Sequence, residues 1–185
     1  MALRRSQTRR RSADERRDLV LEAAREEFAT YGFAGSTGES LSYRAGISHP
    51  YLLRLFGSKK ELFLAVIEQA FDGILAAVRE AGGGGDGPGP TDPAETIASY
   101  LAGVNASGLV LQACAASADE EIRLVVRRRL AELHRQLTGT GVDDADVGPL
   151  LGRLLLREAA SVMRLDDVAR RESWARQLVA SASVK

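Results

Sequence analysis

The chain is poor in the residues that catalysis, metal binding and cross-linking need. In 185 residues there is one cysteine, Cys114, and there are two histidines, His49 and His134. A single thiol forms no internal disulfide, and so small a Cys/His set makes no structural zinc site. No metal or other cofactor is expected. Aromatic residues make up 5% of the chain, so strand formers are sparse, while the helix-favouring Ala, Leu, Arg and Glu dominate. The composition predicts an all-α fold. With no Gly-rich phosphate loop and no recognisable pair of catalytic acids, an enzyme is not expected. Apolar stretches are broken by charge well before the length of a membrane span, and the basic N-terminus lacks a following apolar segment. The expectation is a cytoplasmic chain with no membrane partner.

The formal net charge is zero, but residues 1–60 hold 12 Lys/Arg against 7 Asp/Glu, leaving 13 against 18 in the remainder. A basic front half followed by an acidic back half suggests that only the first part meets a polyanion. The opening MALRRSQTRRRS has five arginines and no acid, and it reads as a basic disordered arm over 1–12 that tracks phosphates or enters a minor groove.

From Asp14 onward Leu19, Val20, Ala23, Ala24, Phe28 and Tyr31 recur at helical spacing, and Gly32 supplies a stop, which predicts a first helix over 13–31. Two short helical patterns follow, at 37–44 and 48–54, with Gly46 between them for a sharp turn. Leu41, Ile47, Leu52 and Phe56 should point inward. Ser36 and Glu39 have capping-box spacing. Ser48 is placed to cap the second short helix and Pro50 falls in its first turn, so His49, Pro50 and Tyr51 stand at an exposed helix N-terminus. A helix of this size fits the major groove of B-DNA, where N-terminal side chains reach base edges.

Ser58 and Glu61 then open a long amphipathic helix running to about Ala81. The run GGGGDGPGPTD at 82–92 predicts a flexible loop. Beyond it the pattern gives helices over 94–116, with a break near Gly103 or Gly108, and over 118–137 with Ser117 and Glu120 as a capping pair. Two more follow over 144–164 and 169–181, separated by Asp166-Asp167.

The segment Ala45-Gly-Ile-Ser-His-Pro-Tyr-Leu-Leu-Arg-Leu-Phe-Gly-Ser-Lys-Lys-Glu-Leu-Phe63 resembles the recognition helix and following helix of TetR/AcrR-type regulators, a likeness that covers roughly 14–80. The resemblance implies a helix-turn-helix DNA-binding domain over 13–57 and a helical sensing and dimerisation domain over 58–185. It further implies that Thr37 and Lys59 touch phosphates and that Ser48, His49, Pro50, Tyr51 and Arg54 face DNA, with Arg44 adding a backbone contact. The sequence departs from the usual family pattern at Leu53 and Leu55, where aromatics are common, and at Glu39, where a basic or polar residue is common. The implied partners are double-stranded operator DNA, a second copy of the chain through the two C-terminal helices, and a small apolar or amphipathic ligand. Such a ligand would release a repressor from a palindromic operator. A regulator without a small-molecule effector, acting constitutively or through protein partners, is the alternative reading. Phe71, Tyr100, Leu101, Asn105, Cys114, Met163 and Trp174 supply an apolar lining with a few polar anchors for a ligand cavity. Arg157 and Glu158, charged in an apolar helix, pair across an interface or face a cavity, and the sequence does not choose between the two.

Overall fold

The computed structural model describes residues 2–82 and 108–182, and these divide into two compact units, one within Met1–Val66 and one within Ile67–Lys185. The chain is all-α, with no strand among the described residues. Its helices are α1 (Ala2–Gly35), α2 (Gly38–Arg44), α3 (His49–Phe56), α4 (Lys59–Gly82), α5 (Leu109–Ala115), α6 (Glu120–Gly139), α7 (Asp144–Val162), α8 (Leu165–Ala169) and α9 (Ser173–Ala182), with a 3₁₀ turn at Ala116–Ala118. The expected loop at 82–92, beyond Gly82, and the expected helix from 94 as far as residue 107 lie outside the described residues.

α1 begins at Ala2, so the stretch 1–12 expected as a disordered arm is helical from its second residue. Neither Gly nor Pro occurs before Gly32, and nothing in the Arg-rich segment interrupts a helix that the downstream turns have nucleated. Gly32 interrupts the helix where a stop is expected: its φ of 69° is non-helical, and one further turn follows the kink, to Gly35. A positive φ of that kind falls naturally to glycine.

The first unit packs Val20, Leu21, Ala24 and Phe28 of α1 against Leu41, Leu52, Phe56, Leu62, Phe63 and Val66, all buried. Leu19 and Tyr31, expected in the apolar stripe, are 68% and 56% exposed because the stripe centres on Val20, Ala24 and Phe28 and leaves them outside it. The Phe28 and Phe63 rings meet edge to face at 4.9 Å, and Phe33 lies 5.0 Å from Phe63. These contacts place the first turns of α4 in the N-terminal unit. The boundary therefore falls after Val66 rather than after residue 57.

In the second unit, α6 turns a stripe of Ile122, Val126, Arg129, Leu133 and Leu137 inward. The middle of that stripe is an arginine. Its guanidinium pairs with Glu68 at 3.1 Å, Glu132 at 2.9 Å and Asp72, and donates to the Glu68 carbonyl at 3.0 Å. Seven residues on, the Gln136 amide donates to the Leu75 carbonyl, so α6 grips α4 at two points two turns apart. The cap of α6 is Asp119, whose carboxylate accepts from Glu121 and Ile122 N–H at 3.0 and 3.2 Å. Ser117, expected in that role, instead donates to the Ala113 carbonyl from the preceding 3₁₀ turn. Asp166 and Asp167, expected as a break, form the first turn of α8, where carboxylates suit the helix dipole.

Glu158 of α7 is 2% exposed. Its Oε2 accepts the Leu111 N–H at 3.1 Å, and the Gly108 and Val110 N–H groups also hydrogen-bond the carboxylate, at the start of α5. Oε1 has no hydrogen-bond partner among the described residues. Burial pushes the carboxyl pKa up, against the opposing pull of those N–H donors. The residue therefore joins two elements of its own unit, and a proton taken at Oε1 removes the buried charge without displacing a donor.

Two outcomes are expected. Arg129→Met should lower unfolding stability by about 1–3 kcal/mol, read from the urea midpoint, because three acids lose their shared cation. Since the folded state raises the pKa of Glu158, its contribution is fully present below the unfolded pKa and is lost as pH rises through the folded one. A series of urea midpoints from neutral to acid pH should show Glu158→Gln with a flatter pH dependence than the parent.

Candidate nucleic-acid interface

The helix-turn-helix is built from two helices too short to stand alone, so their ends are tied by specific bonds. Thr37 caps α2. Its Oγ1 accepts the Ser40 N–H at 3.0 Å while Ser40 Oγ accepts the Thr37 N–H at 3.0 Å. The capping box is thus Thr37/Ser40 and not Ser36/Glu39. Ser36 is buried and donates to the Gly32 carbonyl at 2.8 Å, whereas Glu39 is an exposed acid in the first turn of α2, favourable to the helix dipole. The small Ser42 is buried, with its hydroxyl on the Gly38 carbonyl at 2.6 Å.

Gly46, at φ 65°, makes the turn, and the Ile47 N–H returns to the Ser42 carbonyl at 3.0 Å. Ile47 is half-buried rather than enclosed. Ser48 is the N-cap residue of α3, though its side chain makes no capping bond, and Pro50 lies in the first turn. Leu52 and Phe56 fix one side of α3 in the core. The opposite side presents His49, Pro50, Leu53 and Arg54 to solvent with Tyr51 half-buried. The Arg54 guanidinium sits 4.8 Å from the Tyr51 ring centre, a cation–π pair that holds both side chains on one ridge. At the other end of α3, Arg17 stacks over Phe56 at 4.2 Å and donates to the Leu55 carbonyl at 2.9 Å, closing the helix C-terminus.

Two residues expected to contact the DNA backbone are engaged inside the unit. Arg44 pairs with the buried Glu27 at 2.8 Å and with Glu26 at 3.2 Å. The Glu27 hydrogen bond is the leading cause that raises the guanidinium pKa, with burial opposing it. Lys59 Nζ donates to the carbonyls of Phe33 and Ser36 at 2.8 and 2.9 Å and lies 4.4 Å from the Phe33 ring centre. It caps the end of α1, where orphan carbonyls favour a cation. Glu61 N–H meets Ser58 Oγ at 3.1 Å, so the expected start of α4 is present.

The sequence reading missed Arg17, Glu27 and Tyr43. Tyr43 is 91% exposed and, with Tyr31, Thr37, Ser40 and the Glu27–Arg44 pair, lines an open groove between α1 and α2. An aromatic residue followed by a basic one on a short helix was the available signal. Of the residues expected to line a ligand cavity, Phe71 is fully buried in the core, while Cys114, Met163 and Trp174 are exposed. Tyr100, Leu101 and Asn105 lie outside the described residues. Among the described residues no His/Cys/Asp/Glu group could hold a metal ion, and no helix is long and apolar enough to cross a membrane.

Because Lys59 caps α1, Lys59→Met should lower the urea midpoint by the equivalent of about 1–3 kcal/mol, from two unsatisfied carbonyls. A lysine serving only as a phosphate contact would leave that midpoint unchanged.

Residues 20–66 match the model of the family described as bacterial regulatory proteins, tetR family. The chain is 41% identical over 68 residues to the HTH-type transcriptional activator FasR of Mycolicibacterium smegmatis, an overlap of 37% of this chain and 31% of that protein. It is 35% identical over 71 residues to the HTH-type transcriptional regulator RutR of Escherichia coli, covering 38% and 34%. The matched region thus spans about a third of the length of these curated relatives. A putative TetR-family transcriptional regulator from Rhodococcus sp. superposes with TM-score 0.63 at 19% identity, over 91% of this chain and 97% of that one. The TetR-family regulator PfmR from Thermus thermophilus gives 0.59 at 20% identity, over 86% and 96%. At these identities the superpositions speak for a shared fold alone. The likeness in sequence is thus carried by the helix-turn-helix segment at residues 20–66, and the solved TetR-family structures share the fold beyond it.

Proposed function

We propose that the chain is a dimeric transcriptional regulator that binds a palindromic operator and is released from it by a small apolar or amphipathic ligand. The observation that carries the DNA reading is the α3 ridge. Leu52 and Phe56 anchor the helix, while His49, Pro50 and Arg54 remain exposed with Tyr51 beside them. A short helix rooted in the core on one side and exposed on the other fits the major groove. Arg54 suits guanine O6 and N7, and the Tyr51 ring suits a thymine methyl or, through its hydroxyl, a phosphate. Thr37 stands at the start of α2 and supports a phosphate contact there. The relatives that match the helix-turn-helix segment are an HTH-type transcriptional activator and an HTH-type transcriptional regulator, which supports the same reading here.

One recognition helix per chain reads too few base pairs for tight binding, so a two-fold pair reading half-sites about 34–36 Å apart is the natural assembly. The second unit has a surface for it. Val162 and Met163 at the end of α7, and Trp174 and Leu178 on α9, are exposed apolar side chains that a second copy would cover. Repression follows if the operator overlaps a promoter. Release by ligand requires that the ligand bind the DNA-free arrangement more tightly than the DNA-bound one.

Mobility shift on the DNA flanking the gene, at fixed salt with and without candidate ligands, tests this reading. Tyr51→Ala and Arg54→Ala should each weaken operator binding about tenfold or more, the scale of one good base contact. Equal binding by parent and both variants would remove α3 as the reading element.

A further inference from the structure

Gly38 opens α2, and its backbone is ordinary helix, with no positive φ to call for glycine. Glycine is among the poorest residues for a helix, and α2 has seven residues to hold together. The reason for it lies across the turn. A Cβ at Gly38 would overlap His49 Nε2 and sit 3.0 and 3.1 Å from Cδ2 and Cε1 of the same ring. The three atoms closest to that missing carbon all belong to His49. The imidazole of an exposed residue on the recognition helix therefore lies down on the first turn of α2, in space that only glycine leaves open.

We propose that Gly38 is a positioning residue for DNA reading, and that Gly38 and His49 act as one recognition element. This rests on the DNA-binding reading above. Without the vacancy at 38, an exposed histidine on the first turn of a helix is free to swing, and its rotamer freedom is lost on binding. Seated over Gly38, the ring is set in place before DNA arrives, and its polar edges are offered at one depth beside α3. Any larger residue at 38 pushes the ring outward and changes which base edge it reaches. The obstacle to such a residue is the far end of a flexible side chain, so the fold can accept alanine simply by letting the ring move.

That difference separates a positioning role from a structural one. The full chain, as parent, G38A, H49A and the G38A/H49A double variant, is used to select duplexes from a randomised palindromic pool, and each protein is melted by circular dichroism. The expected result is that G38A melts at or above the parent temperature yet loses most of a roughly tenfold base preference. The loss should fall at the same base pair of each half-site that H49A relaxes, and the double variant should relax no further. In the double variant the Cβ at 38 has room, so it reports on folding without the ring. A G38A profile equal to the parent's, or relaxed at positions H49A leaves alone, or additive with H49A, overturns the proposal. A parent that selects no sequence at all overturns the DNA reading itself, and that result is distinct from a selective parent with an indifferent G38A.

Discussion

The N-terminal unit depends on the ammonium of Lys59. It is the first residue of α4, yet it satisfies carbonyls of Phe33 and Ser36, which precede it by 26 and 23 residues. Everything between those points is the helix-turn-helix, and one side chain closes the loop that contains it. Two helices of seven and eight residues have too few internal bonds to persist in water. Held at both ends, with Leu41, Leu52 and Phe56 sealed against α1 and α4, they have little freedom left to lose. The Phe28, Phe33 and Phe63 rings pack together beside this clasp, with the Lys59 ammonium 4.4 Å from the Phe33 ring centre.

The second unit uses polar groups differently. Arg129 occupies a position that the helical repeat reserves for an apolar side chain, and its acids sit on α4 and on its own helix. A buried cation together with its acids gains little net stability over an all-apolar contact of the same size, but it tolerates only one register of α6 against α4. Gln136 repeats the constraint two turns further along. Glu158 does the same for α7 and the start of α5, where a carboxylate enclosed by backbone donors fixes the position of a seven-residue helix. Apolar burial supplies the driving force in both units, and these few polar bonds select the arrangement.

What the sequence made legible was local. Gly46, Ser48 and Pro50 mark the turn and the start of α3 within a residue or two, and the spacing of Leu41, Leu52 and Phe56 gives their burial directly. Charge and spacing do not name a partner. Lys59 and Arg44 are basic residues in a basic region, where phosphate is the obvious partner, and the sequence does not show that each also has partners inside the unit, at Phe33 and Ser36 and at Glu26 and Glu27. Adjacent capping candidates are nearly degenerate, so the box fell one residue late at Thr37/Ser40, and Asp119 took the place expected for Ser117. Arg129 stands in an otherwise apolar stripe, and its own helix shows only one of its acids, Glu132, while Glu68 and Asp72 come from α4. The ridge of His49, Pro50, Tyr51 and Arg54 was readable because exposure at a helix start follows from the core positions on either side.

The closure of α3 at one end alone has an evolutionary consequence. Arg17, Phe56 and the Leu55 carbonyl lock the tail of the helix, while at its head Ser48 makes no side-chain cap. Substitutions at Tyr51 or Arg54 can therefore accumulate without disturbing the scaffold, and a lineage can drift toward new operators through many small steps. Position 49 is the exception, because its ring shares space with another helix. A change there is accepted freely only toward smaller side chains, or in company with residue 38, so the two positions should vary together when such domains diverge.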